Sequence, residues 1–189
     1  MSNVLIGIIG VILFIGLALA GALFLGPRFQ ESTNNSKAAA VVQSVSQVAH
    51  AANLFEVSEG RAYVSGSSEQ TGVDELISLK YLKSRPTNPV KSVSGVQYGT
   101  LVVSATGNFS GKGGWAVTPL NDDADASVSS EAVRVCRAVA QQNGQTLPAD
   151  GSVPIATDPL ATGRQVGCIR SSTQWGVIGT NRIIAFARI

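Results

Sequence analysis

From Met1 to Gly26 no side chain carries a charge. Val4 to Gly26 reads VLIGIIGVILFIGLALAGALFLG, apolar apart from its glycines. An α-helix of this length reaches about 35 Å, enough to cross a hydrocarbon core of about 30 Å. A helix that is apolar on every side belongs in lipid or inside protein. Three readings of the stretch follow. A cleaved secretory signal usually carries basic residues ahead of a shorter apolar run, and Met1, Ser2 and Asn3 supply none. A plain membrane anchor needs nothing more than the length. A helix that sits first in lipid and later in a protein bundle is favoured by Gly7, Gly10, Gly16, Gly21 and Gly26, which let neighbouring backbones approach. Gly26-Pro27 then marks a weak point, because Pro27 cannot donate to the carbonyl of Leu23 and crowds it.

The chain beyond Gly26 has about 160 residues, the size of one domain with a real core. The formal net charge of +2 and the scattered Lys and Arg residues give no nucleic-acid face. One His, one Met and few aromatics leave little material for a cofactor pocket, and no cofactor is expected. The two cysteines are Cys136 and Cys168. In an exported domain they read most simply as one disulfide; in a reducing compartment they read as two buried thiols. The apolar anchor favours the first reading. Closing that loop stabilises a fold by about 3–4 kcal/mol in the chain-entropy model.

Residues 28–36, RFQESTNNS, are polar and poor helix formers, and predict a hinge or a solvated piece of helix. In KAAAVVQSVSQVAHAANLFEVSEG, Val41, Val45, Val48, Ala52 and Phe55 form one apolar stripe, with Gln43, Ser44, Ser46, Gln47 and His50 largely off it. Gly60 is a plausible stop. The expectation is a helical spine over about 3–58, kinked or melted near 26–36. RAYVSGSSEQTG reads as an extended piece and a turn-rich loop, and VDELISLKYL as a short helix with Leu76, Leu79 and Leu82 at helical spacing. SRPTNPV is extended or turned. VQYGTLVVS and WAVTPL predict a hairpin across the glycine-rich NFSGKGG. After the acidic NDDADAS, Ser129 or Ser130 caps a helix with Glu131 in its first turn. That helix puts Ala132, Cys136, Val139 and Ala140 on one face and ends at Gly144. QTLPADGSVP and ATDPLATG read as loops. RQVGCIRS, TQWGVIG and RIIAFARI read as strands, with a turn at Thr180-Asn181. The fold class is α+β: a long N-terminal helical spine packed on an antiparallel sheet of about four or five strands, with one C-terminal disulfide. The expected divisions are 1–27 (apolar helix), 28–59 (amphipathic spine) and 60–189 (globular head).

On these features the chain resembles a type IV pilin, and more closely the type IVb branch. The features are the apolar helix Val4–Gly26, the amphipathic helix Lys37–Glu59, the strands after Val96, and Cys136 with Cys168. KAAAVVQSVSQVAHAANLFEVSEG followed by YLKSRPTNPV also reads like the family's spine and following loop. The resemblance covers nearly the whole chain. It implies a structural subunit of a bacterial pilus, stored in the inner membrane with its head in the periplasm. An assembly machine with an ATPase and a membrane platform then polymerises it, through the N-terminal helix, into an extracellular filament. The implied partners are further copies of the chain, that machine, the membrane and an unidentified surface ligand. Met1 is a residue found at the mature start of some type IVb pilins. The absent basic leader fits a processed chain, the alternative being an initiator Met. Residues implicated in processing and assembly are Met1, Leu5, Gly21, Gly26 and Pro27. One departure stands out. Most family members carry a glutamate fifth in the mature chain, thought to pair with a neighbour's N-terminal amine; here Leu5 stands there, and the first acidic residue is Glu31. A carboxylate unpaired in lipid is expensive. Its absence lowers the cost of membrane storage and removes a register cue, which shifts weight toward a minor or tip pilin acting in adhesion, assembly priming or DNA uptake. A monomeric membrane-anchored binding protein is the further alternative.

Rival sites are weak. Asn121, Asp123 and Asp125 have the alternate spacing of a Ca²⁺ loop, but the glycine after the third ligand is missing and Ala132 stands where a closing Glu would. Ser110-Gly111-Lys112-Gly113-Gly114 lacks the frame of a phosphate-binding loop. His50 has no ligand partner at suitable spacing, and Trp115 and Trp175 read as core or interface residues. No serine sits in a G-x-S-x-G frame, so no enzyme is expected.

Overall fold

Helix α1 runs from Ser2 to Glu59 and contributes to two units, Met1–Asn34 and Asn35–Ile189. The computed structural model describes residues 2–60, 63, 69–90, 101–103, 114–121, 130–156, 163–172 and 181–189. In the first unit the described apolar side chains of α1 are exposed. In the second unit the same helix is a structural wall.

The predicted melt near 26–36 is absent, because every residue there is helical. Pro27 withholds one hydrogen bond from the helix. The exposed segment beyond it has local support: Arg28 and Glu31 approach to 3.6 Å one turn apart, and the Thr33 hydroxyl donates to the Phe29 carbonyl at 2.9 Å. Such i,i+3 pairs add a few tenths of a kcal/mol each.

Helix α2 spans Glu69–Ser78 and α3 spans Glu131–Gln142. The strands are β1 (Leu101–Val103), β2 (Trp115–Pro119), β3 (Ile155–Ala156), β4 (Val166–Ser171) and β5 (Ile183–Arg188). They form one sheet in the order β1-β2-β5-β4-β3. The β1–β2, β2–β5 and β5–β4 pairs are antiparallel, with Leu101 opposite Val117, Val117 opposite Phe186, and Cys168 opposite Ala185. The two-residue β3 joins β4 in parallel, within a stretch expected to be loop. The segment TQWGVIG, expected as a strand, lies outside the described residues; β4 pairs directly with β5.

The valine stripe of α1 is fully buried, as its spacing predicts: Val41, Val45, Val48 and Ala52 are inaccessible, and Phe55 nearly so. It packs in two adjoining clusters. One joins Ala38 and Val41 to α3 and to Cys168, Ile183 and Ala185. The other joins Val45 through Phe55 to Tyr63, Val73, Leu76, Ala116 and Ala187. The sheet face below the helix is thus lined mainly by small residues, Ala116, Cys168, Ala185 and Ala187, with Ile183 at its end. The opposite face carries Trp115, Val117, Ile169, Ile184 and Phe186, also buried. Trp115 meets Phe186 edge to face at 5.5 Å. Ser44, expected off the stripe, is buried and donates to the Val41 carbonyl at 2.8 Å.

Each helix stops by a definite device. Gly60, at φ +65°, donates its N–H to the Glu56 carbonyl. α3 begins at Ser130, whose hydroxyl accepts from the Val133 N–H, and ends at Gly144, also at φ +65°. α2 begins inside the predicted loop, since Glu69 and Gln70 are good helix formers ahead of a single tolerated Gly72. It stops before Leu79 and Leu82 because Lys80 turns left-handed at φ 67°. Tyr81 and Lys80 then donate back to Leu76 and Ile77, a Schellman arrangement that tucks Tyr81 against the core.

Gly167 in β4 is closely packed. A Cβ there would lie 2.9 Å from Phe186 Cζ and 2.8 Å from Gln145 Oε1. Gly167→Ala is expected to destabilise the head by about 1–3 kcal/mol, the usual cost of overpacking. Urea denaturation followed by tryptophan fluorescence will show this as a lower midpoint with an unchanged slope.

Candidate assembly helix and disulfide region

The described residues implicated in assembly fall in the first unit, all on α1. Leu5, Gly21, Gly26 and Pro27 are helical; Met1 lies outside the described residues. The exposed apolar side chains run from Val4 to Leu23 with no polar face between them, and Leu17 is 74% exposed. This helix is long and apolar enough to cross a membrane. A Cβ built at Gly7, Gly10, Gly16, Gly21 or Gly26 meets nothing within 4 Å, so these glycines leave open notches. Transferring such a surface from water to lipid or protein is favourable at about 25 cal/mol per Å². Leu5 sits among equally exposed Val4 and Ile6 and introduces no charge.

The disulfide Cys136–Cys168 is formed, with both cysteines buried and Cα atoms 5.5 Å apart. It ties the middle of α3 to β4. A second, non-covalent tie lies beside it. The Gln145 side-chain amide donates from Nε2 to the Cys168 carbonyl at 3.0 Å and accepts the Cys168 N–H at 3.2 Å. Cys168 pairs with Ala185 on its other side. Gln145 therefore satisfies the outer backbone edge of β4 in the way a neighbouring strand would. Two residues on, Arg170 N–H donates to the Pro154 carbonyl, and β3 takes over. Edge strands left open invite pairing with other chains, and here the edge is covered in succession by a side chain and a short strand. No sequence pattern marks Gln145 for this role.

Two asparagines brace the sheet similarly. Asn88 Nδ2 donates to the Pro119 carbonyl at 2.6 Å, while its Oδ1 accepts from Val90 N–H, holding the proline-rich connection against β2. Asn121 Oδ1 accepts the Ile183 N–H at 2.7 Å. The one described member of the proposed Ca²⁺ triplet is thus a strand brace; Asp123 and Asp125 lie outside the described residues. Among the described residues no group of three His, Cys, Asp or Glu side chains could hold a metal. His50 is exposed on α1. Trp115 is buried in the core, while Trp175 and most of the glycine-rich SGKGG lie outside the described residues.

Lys37 and Glu131 form a half-exposed ion pair between α1 and α3, and Gln142 donates to the Asn35 carbonyl. At the other end of α1, Phe55 takes Tyr63 and Tyr81 edge to face at 5.0 and 5.6 Å. The Tyr63 hydroxyl points to Glu75, 3.5 Å away. Burial, reinforced by the negative charge of Glu75, pushes the Tyr63 phenol well above its ordinary value.

No protein-family model matches this chain, no curated protein matches it, and no solved structure matches it. What stands is the architecture. A long N-terminal helix has an apolar first half and a second half packed on an antiparallel sheet, a layout that is pilin-like in general form.

Two outcomes follow. A raised folded-state phenol favours the protonated, folded form; its contribution is complete below the unfolded value near 10 and is lost as pH rises above it. In an absorbance titration Tyr63 will ionise only with alkaline unfolding, and Tyr63→Phe will remove that late step. Replacing both cysteines by serine will cost the head about 2–5 kcal/mol by chemical denaturation.

Proposed function

We propose that this chain is a structural subunit of a type IV, IVb-like, pilus filament. The observation that carries this reading is the composition of α1. Its first half exposes apolar side chains on every side, and its second half is a buried wall of the head. A helix with such a surface needs a second environment. Lipid supplies it in storage; copies of the same helix supply it in a filament. Exchanging one for the other is nearly neutral in apolar burial, so close packing at small residues tips the balance. The open notches at Gly7, Gly10, Gly16, Gly21 and Gly26 fit that requirement.

In this mechanism the subunit waits in the bacterial inner membrane with its head in the periplasm. An ATP-driven assembly machine moves it into the base of a growing extracellular filament. The head contributes no chemistry. It presents a disulfide-tied surface, in keeping with export to an oxidising compartment.

A second reading rests on Leu5. Without an acidic side chain in the apolar helix, the usual pairing with a neighbour's terminal amine is unavailable, which suits a minor or tip subunit present in few copies. Electron microscopy of sheared cell-surface material, with mass spectrometry of its main band, separates the two. A major subunit predicts thin filaments built of this chain, beginning at an N-methylated Met1. Filaments built of another protein, with this chain scarce, favour the tip subunit. No filament at all favours a lone membrane-anchored binding protein. Introducing a charge by Leu17→Arg is expected to abolish incorporation in either filament reading while leaving the head's denaturation midpoint unchanged.

A further inference from the structure

The C-terminal cap of α3 contains the one Asn-Gly pair in the chain, Asn143-Gly144. In this dipeptide the asparagine side chain is open to attack by the following backbone nitrogen, because glycine places no Cβ in the way. The reaction is self-contained. Gly144 N loses its proton and bonds to Asn143 Cγ. The Cγ–Nδ2 bond breaks and ammonia leaves. Water then opens the succinimide ring at either carbonyl, giving aspartate or isoaspartate. Amide and water become carboxylate and ammonium, with no oxidation or reduction.

The fold restrains the groups this step uses. Gly144 N–H, whose proton must leave, donates to the Gln141 carbonyl at 3.1 Å. Asn143 Nδ2 donates to the Val139 carbonyl at 2.8 Å, which fixes the carboxamide against the last helical turn. Gly144 is held at φ +65°, and Gln145 N–H closes the cap on the Ala140 carbonyl at 2.8 Å. An Arg164 guanidinium nitrogen donates to the Gly144 carbonyl from across the disulfide region. Gly144 itself is exposed, so water has access.

We infer that Asn143 is a latent self-modification site, closed by the α3 cap and released when the disulfide-tied half of the head opens. The consequence is one-directional. A carboxylate at position 143 loses the donation to Val139 and puts negative charge at the negative end of the helix dipole. The isoaspartyl form also lengthens the backbone between residue 143 and Gly144, one residue ahead of Gln145. Gln145 is the residue whose side chain covers both backbone groups of Cys168. A head that opens long enough to react therefore recloses poorly, and the chain keeps a chemical record of having opened. This inference does not depend on the filament reading.

The test compares three samples in mildly alkaline buffer: the full oxidised chain in detergent micelles, the same chain reduced and alkylated, and a synthetic peptide covering residues 138–148. Peptide mapping by mass spectrometry measures aspartyl and isoaspartyl forms at 143 over time. If conversion requires opening, its rate is the peptide's rate scaled by the open fraction, so the oxidised chain should react at least about tenfold more slowly than the peptide. The reduced chain should approach the peptide. Asn143→Gln should lose the mass change at this position in all three. Conversion of the oxidised chain at the peptide's rate overturns the proposed protection. A reduced chain as slow as the oxidised one overturns the disulfide as its gate, and an inert peptide overturns the site itself.

Discussion

The head depends on one layer of contact, the valine stripe of α1 lying on the small-residue face of the sheet. Val41, Val45 and Val48 bring branched, stiff side chains down onto Ala116, Ala185 and Ala187. Bulky on one side and small on the other is what lets a helix lie close to a sheet without voids. β5 sits at the centre of this arrangement, hydrogen-bonded to β2 and β4 and buried on both faces. That is why RIIAFARI is nearly continuous in apolar residues rather than alternating. Its alanines face the helix; Ile184 and Phe186 face away and meet Trp115 and Gly167.

The disulfide and Gln145 act on the same strand for different reasons. Cys136–Cys168 restricts the unfolded chain by closing a separation of 32 residues. Gln145 acts in the folded state, satisfying the N–H and C=O that β4 turns outward. The cap of α3 fixes where Gln145 stands, so the end of one helix, the edge of one strand and the covalent link form one local unit. Arg164 on Gly144 adds a contact from the far side of the enclosed loop. Coupling of this kind makes the region resistant as a whole and vulnerable as a whole.

The polar residues that brace the head share a property that hides them in a sequence. Asn88, Asn121 and Gln145 each supply an amide group to a backbone position distant in the chain. Asn121 illustrates the hazard. Its spacing with Asp123 and Asp125 suggests a cation loop, while its carbonyl oxygen is engaged by Ile183 N–H. A donor–acceptor match of that kind depends on the approach of two segments, and neither segment carries a local mark of it.

The amino-acid sequence by itself determined the elements whose cause is local or periodic. The uninterrupted apolar run defines the first half of α1, and the four-three spacing of Val41, Val45, Val48, Ala52 and Phe55 defines its buried face. Ser129 or Ser130 and Gly144 bound α3, and two cysteines behind an apolar anchor favour one disulfide. Tertiary structure decided what depends on a partner. Helix persists through Pro27 to Ser36 where weak formers suggested a melt, since one lost hydrogen bond does not stop a long helix. α2 ends at Ser78 because Lys80 turns left-handed and Tyr81 packs beside Phe55, which outweighs the helical spacing of Leu79 and Leu82. β3 exists because β4 offers an edge, and Gly167 is required because Phe186 and Gln145 converge on it. Propensity is a property of a residue and its near neighbours; edge pairing, close approach and amide bracing are properties of surfaces that meet only in the folded chain.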